Sequence, residues 1–358
     1  MTYQSQIRRQ TALISTRKAR KGWASPSSWA AAIGVGVVAF GIWAGINRPA
    51  TNIAPYTGEI GGFAFSPFHK GESPQTGDYP TTAQIKSDLA LAAKHTHNIR
   101  TYTVEGDLGQ IPALAQGMGL NVTLGAWLDR HPEANAKELA KVVQVANANP
   151  DVKQVMVGNE TILRGDQTVP ELVSEIRSVE KQVHVPVSTA EPWHVWLKHP
   201  ELANSVDFIT VHLLPYWEGV PEKIAVQDSM NRYEAVHKMY PNKKIVIGEI
   251  GWPSDGIDIG AARANNINQA RFLRDFFNLA QQKHLDYFVM EAFDQPWKTS
   301  FEGRAAGYWG MFTLGRHQKW SLTGPVWNHP EWIWYAAGAA LASLLLSLIH
   351  ISEPTRPY

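Results

Sequence analysis

The chain has no cysteine among its 358 residues. That excludes disulfides, thiolate nucleophiles and cysteine-based metal sites, and it fits an oxidising compartment. Charge of one sign is also lacking: 33 lysines and arginines stand against 32 aspartates and glutamates, so no bulk positive field points to nucleic acid. The 13 histidines form no H-E-x-x-H and no other ligand pair at helical spacing, so no metal and no cofactor is expected. What the chain has in excess is tryptophan, with 14 residues. Indoles fill cores, sit at membrane interfaces and pack on flat apolar ligand faces, and the core claims most of them.

Two long apolar runs lie near the ends. Arg8, Arg9, Arg17, Lys18, Arg20 and Lys21 precede the uncharged stretch Trp29 to Ile46, which as a helix spans about 27 Å, close to a bilayer core. The basic cluster predicts residues 1–28 on the cytoplasmic side, with Trp29 and Trp43 near the two interfaces. A cleaved signal peptide is the rival reading. The run is longer than a usual signal core and no clear A-x-A site follows, so 29–46 is read as an uncleaved anchor. A second run, 332–349, is read as a transmembrane return. The tail 350–358, H-I-S-E-P-T-R-P-Y, resembles neither a helix flank nor a domain start and is read as truncated or artefactual.

Between them, over 55–327, short apolar runs recur in a regular cadence: 61–66, 98–104, 120–127, 153–160, 185–191, 207–212, 244–249 and 286–293. Each ends in polar or turn residues, and the segments between carry apolar residues at helical spacing, as in Ile85, Leu89, Ala92 and Ala93, or Leu172, Ile176 and Val179. Residues 265–283 form the longest helical candidate. Eight strands alternating with helices predict a (β/α)8 barrel flanked by the two transmembrane helices. A doubly wound sheet would show a glycine-rich phosphate loop after its first strand, and G-F-A-F-S-P-F is not one.

Active sites of such barrels form at the C-terminal ends of the strands. Here those ends read Ser66, Tyr102, Trp127, Asn159-Glu160, Glu191, His212, Glu249, and Glu291 with Asp294. A rim can simply be polar, but four carboxylates at one mouth exceed that. His95 and His97 fall at the opposite end. Two glutamates on non-adjacent strands suit a retaining glycosidase, in which one carboxylate attacks the anomeric carbon and the other moves the proton. Asn159 is placed to hydrogen-bond a sugar 2-hydroxyl.

The motifs V-M-V-G-N-E around Glu160 and I-V-I-G-E-I-G-W-P-S-D-G around Glu249 resemble glycoside hydrolase family 17, the β-1,3-glucanases. I-R-T-Y at strand two and F-D-Q-P-W-K at 293–298 are also similar, in particular to bacterial membrane-bound members. The resemblance implies Glu249 as nucleophile, Glu160 as acid/base, and Glu291, Asp294 and Lys298 lining the sugar site. It makes Tyr216 the candidate for orienting the nucleophile, with His212 as rival. Stacking on glucosyl rings competes with loop packing for Trp193, Trp217, Trp252 and Trp297, and is favoured for Trp217 and Trp297. Tyr102 and Trp127 complete the expected binding set.

The same glutamates serve hydrolysis, when water attacks the glucosyl-enzyme, and transfer, when a sugar hydroxyl does. The anchors, and the family's frequent pairing with a family 2 glycosyltransferase on the cytoplasmic side, favour a β-1,3-glucanosyltransferase in the inner membrane with its catalytic domain facing the periplasm. The alternatives are a β-1,3-glucanase and, in another class, a non-catalytic glucan-binding module of a polysaccharide synthase. The expected partners are β-1,3-glucan, the membrane and that glycosyltransferase.

Overall fold

The structure, a computed structural model, describes residues 26–352. The basic cluster of the expected cytoplasmic tail and the last six residues lie outside this range. The chain divides into two compact units, Pro49–Asn328 and the terminal segments Met1–Arg48 with His329–Tyr358.

In the terminal unit, the helix Pro26–Ile46 packs on the helix Trp332–Ser352. Phe40 meets Trp332 at 5.8 Å and Trp43 stacks on Tyr335 at 6.2 Å between ring centroids. Trp29–Ile46, with mean hydropathy 1.9, is long and apolar enough to cross a membrane by length and composition. The second helix carries the apolar run Trp332–Ser347.

Pro49–Asn328 is a closed parallel barrel in the order β1-β2-β3-β4-β5-β6-β7-β8. The strands are β1 (Phe63–Ala64), β2 (Asn98–Arg100), β3 (Asn121–Ala126), β4 (Val152–Asn159), β5 (Val187–Pro192), β6 (Ile209–Leu213), β7 (Ile245–Ile250) and β8 (Tyr287–Val289). Phe63 pairs with Val289 to close the ring. Strand parity divides the core into two layers. Val155, Val157, Ile245 and Ile247 join the large cluster beneath the helices. Met156 and Val246, on the opposite face, join Ala190, Phe208 and Phe288 in a separate cluster that fills the lumen.

The helices follow from local chemistry. Asn265 caps the helix Asn266–Lys283 by accepting from the Asn268 amide, and the buried stripe Phe272, Leu273, Phe276, Phe277 and Ala280 faces the sheet. The helix ends where His284 turns left-handed at φ 54°. Thr81 and Gln84 form a capping box on the helix Thr82–Ala92. The expected strands 98–104 and 286–293 end sooner, at Arg100 and Val289.

Candidate active site

Strand β7 brings Glu249 into the mouth at a register shift between Ile247 and Ile250. The carboxylate is buried, 4 % exposed, yet it does not lack partners. Tyr102 Oη donates to Glu249 Oε1 at 2.8 Å and Arg100 Nη1 lies 3.3 Å from the same oxygen. Burial holds the Tyr102 hydroxyl well above its ordinary pKa, and the Glu249 charge adds to this; the phenol therefore stays a donor. After Glu249 the chain turns at Gly251, where a Cβ would meet the Met290 carbonyl oxygen at 2.3 Å. Only glycine fits that approach.

Strand β4 ends at Asn159, and Glu160 follows in the left-handed region at φ 54°. A carboxylate-bearing residue there is strained, a condition concentrated at functional sites. Surrounding bonds fix it: the Glu160 amide donates to the Ala190 carbonyl at 2.7 Å, and the Arg164 amide donates back to the Glu160 carbonyl at 2.8 Å. Glu191 braces the following turn by accepting from the amides of Ile162 at 2.7 Å and Leu163 at 3.3 Å.

His212 joins the two glutamates. Its Nδ1 is 2.8 Å from Glu160 Oε1, and its Nε2 is 3.7 Å from Glu249 Oε1 and 3.1 Å from Arg100 Nη1. A guanidinium offers only donors, so Nε2 must be the accepting nitrogen and the proton sits on Nδ1. His212 Nδ1–H is thus assigned as the donor to Glu160. One oxygen from each glutamate and a ring nitrogen all lie within 4.8 Å of one another. This spacing could suit a cation, but Arg100 already supplies the positive charge between them. The Arg100 guanidinium is pinned further by the Gly248 carbonyl at 2.8 Å and by Asn159 Oδ1.

Burial pushes the Glu160 carboxyl up, but the hydrogen bond from His212, with the charges of Arg164 and Arg100, outweighs it, and the net direction is down. At the other side of the mouth, burial raises Glu291 to about 7 against the opposing charge of Lys298, whose Nζ is 2.9 Å away. Asp294 is raised by burial to about 6 while Lys319 holds it at 2.6 Å.

Several expected site residues do not reach the site. Tyr216 is fully buried, and its hydroxyl donates to the Ile257 carbonyl instead of a glutamate. Tyr102, expected only as a binding residue, takes the contact with Glu249. Trp252 is also fully buried: its Nε1 donates to the Arg263 carbonyl at 2.9 Å and its ring packs on Tyr216 and Phe272. It belongs to the core and walls no sugar site. Glu191 lies behind the Glu160 turn with no exposed surface. Trp193, Trp217 and Trp297 remain half-buried; Trp217 stacks on Trp309 at 5.5 Å and Trp297 meets Phe68 edge-on. Trp127 is exposed.

Three working residues escaped the sequence reading. Arg100 lies within the quoted I-R-T-Y, and an arginine as the last residue of an apolar strand carries a readable signal, because a buried guanidinium must find acceptors. Arg164 and Lys319 sit in loops without periodicity, and nothing local marks them.

Glu191 also sets a pH dependence. Burial raises its folded-state pKa to about 7, above the unfolded value of about 4.3. The folded state then binds more protons, so stability is fully present below about pH 4 and falls as pH rises to 7. Chemical denaturation at pH 5.0 and 7.5 is expected to show this loss, with a slope of up to about 1.4 kcal/mol per pH unit from this proton. Glu191→Gln should flatten the profile by that amount; an unchanged slope would remove Glu191 as its source.

The family described as the BtgE/BtgC glycoside hydrolase domain matches residues 62–310. A glucan 1,3-beta-glucosidase of Arthroderma benhamiae is 29 % identical over 273 residues, covering 71 % of this chain and 89 % of that protein. A probable glucan endo-1,3-beta-glucosidase btgC of Aspergillus flavus is 26 % identical, over 69 % of this chain but only 40 % of its own length. Among solved structures, the glycoside hydrolase family 17 beta-1,3-glucanosyltransferase of Rhizomucor miehei superposes with a TM-score of 0.65 at 26 % identity, covering 73 % of this chain and 95 % of that one. An active-site mutant of the R. miehei beta-1,3-glucanosyltransferase was solved with laminaritriose. These relatives are fungal, which gives no support to the bacterial placement expected from the sequence.

Proposed function

Because the chain belongs to the BtgE/BtgC glycoside hydrolase family, we propose that its barrel is a retaining β-1,3-glucan-active enzyme, with Glu249 as nucleophile and Glu160 as acid/base. The observation that carries this is that one oxygen of each carboxylate lies within 4.8 Å of the other's. Retaining pairs stand about 5–5.5 Å apart, whereas inverting pairs leave about 6.5–9.5 Å for a water.

Glu249 Oε attacks C1 of the donor glucosyl unit, the C1–O bond breaks, and Glu160 gives its proton to the departing oxygen. An acceptor hydroxyl then attacks C1, its proton passes to Glu160, and the C1–Glu249 bond breaks. Tyr102 and Arg100 hold Glu249 aimed at C1. His212 holds one oxygen of Glu160 and leaves the other for the proton. In the open site Glu160 lies below its ordinary range, which is the base form. Glucan covering its exposed quarter removes water and raises it toward the acid form, and ionised Glu249 within 4.8 Å adds to this until it is glucosylated. Loss of that charge returns Glu160 to a base for the second step.

Transfer is the favoured outcome, supported by likeness to a beta-1,3-glucanosyltransferase over nearly the whole of that enzyme. Hydrolysis has the A. benhamiae glucosidase in its favour. Asn159, Trp193, Trp217, Trp297 and the Glu291–Lys298 pair are proposed to contact sugar. The apolar helices are proposed as an inner-membrane anchor with the barrel on the periplasmic side, opposite the basic N-terminus, beside a cytoplasmic family 2 glycosyltransferase.

Incubation of the detergent-solubilised chain with laminari-oligosaccharides, followed by chromatography, separates the readings. Products longer than the substrate are expected. Only shorter ones would mean a hydrolase, and none at all a glucan-binding module.

A further inference from the structure

Trp127 is the most exposed tryptophan of the barrel unit among the described residues, at 41 %. An indole in water loses apolar burial, so its position needs a reason beyond packing.

The ring is held on one face. The Arg164 guanidinium lies 4.2 Å from the ring centroid, and its nitrogens are all engaged: Nε with Asp166 at 2.8 Å, Nη2 with the Leu128 carbonyl at 2.6 Å, and Nη1 with the Asn159 carbonyl. Asp166 is held in turn by Arg130 at 2.9 Å. Half-buried Glu138 fixes the Trp127 backbone by accepting from its amide at 3.2 Å, and ties the same oxygen to Thr103 and Val104 of the loop after β2. The indole is therefore set before any ligand arrives, with one face covered by a cation and the other open. Such preorganisation lowers the entropy cost of binding.

Its side of the mouth follows from topology. Trp127 directly succeeds β3, whose Ala126 pairs with Val157 of β4. Arg164 is bonded to the backbone of both Asn159 and Glu160. The indole thus belongs to the acid/base side, away from the β7–β8 side that carries Glu249 and the Glu291–Lys298 pair. The proton carried by Glu160 goes to the oxygen between the donor sugar and whatever lies beyond it. A ring seated beyond Glu160 is therefore the leaving sugar in the first step and the acceptor in the second.

We infer that Trp127, clamped by Arg164, is the platform for the acceptor sugar, its open face stacking on a glucosyl ring of an incoming β-1,3-glucan chain and raising the residence of sugar over water. Trp127 is here a specificity-determining residue: it touches no reacting atom and sets which nucleophile meets the intermediate. The inference rests on the retaining reading of Glu249.

The test isolates the acceptor side. A 2-deoxy-2-fluoro-laminaribiosyl fluoride traps Glu249 as its glycosyl ester with loss of fluoride, filling the donor side and leaving only the acceptor side for free laminaribiose. Calorimetry on the trapped full chain is expected to give a Kd at least tenfold weaker for Trp127→Ala than for the wild type, with Trp127→Phe between them and Arg164→Met weakened in the same direction. Complete labelling of each variant, read by mass, verifies its folded donor side. Equal Kd values for the wild type and Trp127→Ala would overturn the inference. Recovery of free enzyme from the trapped form separates it from the reading above. Laminaribiose that binds in a Trp127-dependent way but does not speed recovery leaves the platform standing and counts against transfer.

Discussion

Replacing Glu249 by glutamine is expected to reduce turnover of β-1,3-glucan by about 10⁴-fold or more, the scale seen when a member of a covalent catalytic unit is removed. Glutamine keeps the shape and can still accept from Tyr102, but it forms no stable bond to C1. The loss is not a folding effect by default, because Arg100 retains the Gly248 carbonyl, Asn159 and His212 as acceptors. Circular dichroism should therefore show a native barrel, with a lowered melting temperature from the lost ion pair. A second variant makes the chemistry explicit. Glu249→Ala opens a space beside C1, and azide entering it should restore turnover of a glucosyl fluoride, yielding the α-glucosyl azide. Retention of glucan turnover in Glu249→Gln would end the assignment.

Glu160→Ala separates the two steps. Cleavage of unactivated glucan, whose leaving oxygen needs a proton, should fall about 10²- to 10⁴-fold. A laminaribiosyl fluoride, whose leaving group needs none, should still load Glu249 at near the wild-type rate. The glucosyl-enzyme then accumulates, since no base activates the acceptor, and azide should discharge it as the β-azide. The alkaline limb of the wild-type pH profile on glucan should also vanish. Equal losses on both substrates would mean that Glu160 positions the donor and carries no proton.

The barrel was legible because its signal is repeated: eight apolar runs with helical segments between them leave few other topologies. Strand ends were less so, since the limits of β2 and β8 are set by pairing with strands remote in the chain. Glu160 and Glu249 were legible because each is tied to a backbone that reads in the sequence, Gly158 at φ 86° before the one and Gly251 after the other. Tyr216 and Trp252 were misplaced for a definite reason. An aromatic residue after a strand looks the same whether it faces the mouth or the core. Here Trp309 and Phe272, remote in the chain, decide for the core. Tyr102 and His212 changed roles because contact across the barrel mouth, with Glu249 in one case and Glu160 in the other, has no periodicity to betray it. Arg100 joins strands that lie 112 and 149 residues apart, a span no local pattern encodes.

The stereochemistry of the first product reports on whether Glu249 forms a covalent intermediate, because it depends on the separation of Glu160 and Glu249 and on little else. Proton NMR of the anomeric region, recorded in the first minutes of laminari-oligosaccharide cleavage and before mutarotation, is expected to show the β-configured product appearing first. Initial formation of an α-configured product at the attacked C1, in excess of the anomeric mixture that the substrate's own reducing end brings, would contradict a covalent intermediate on Glu249.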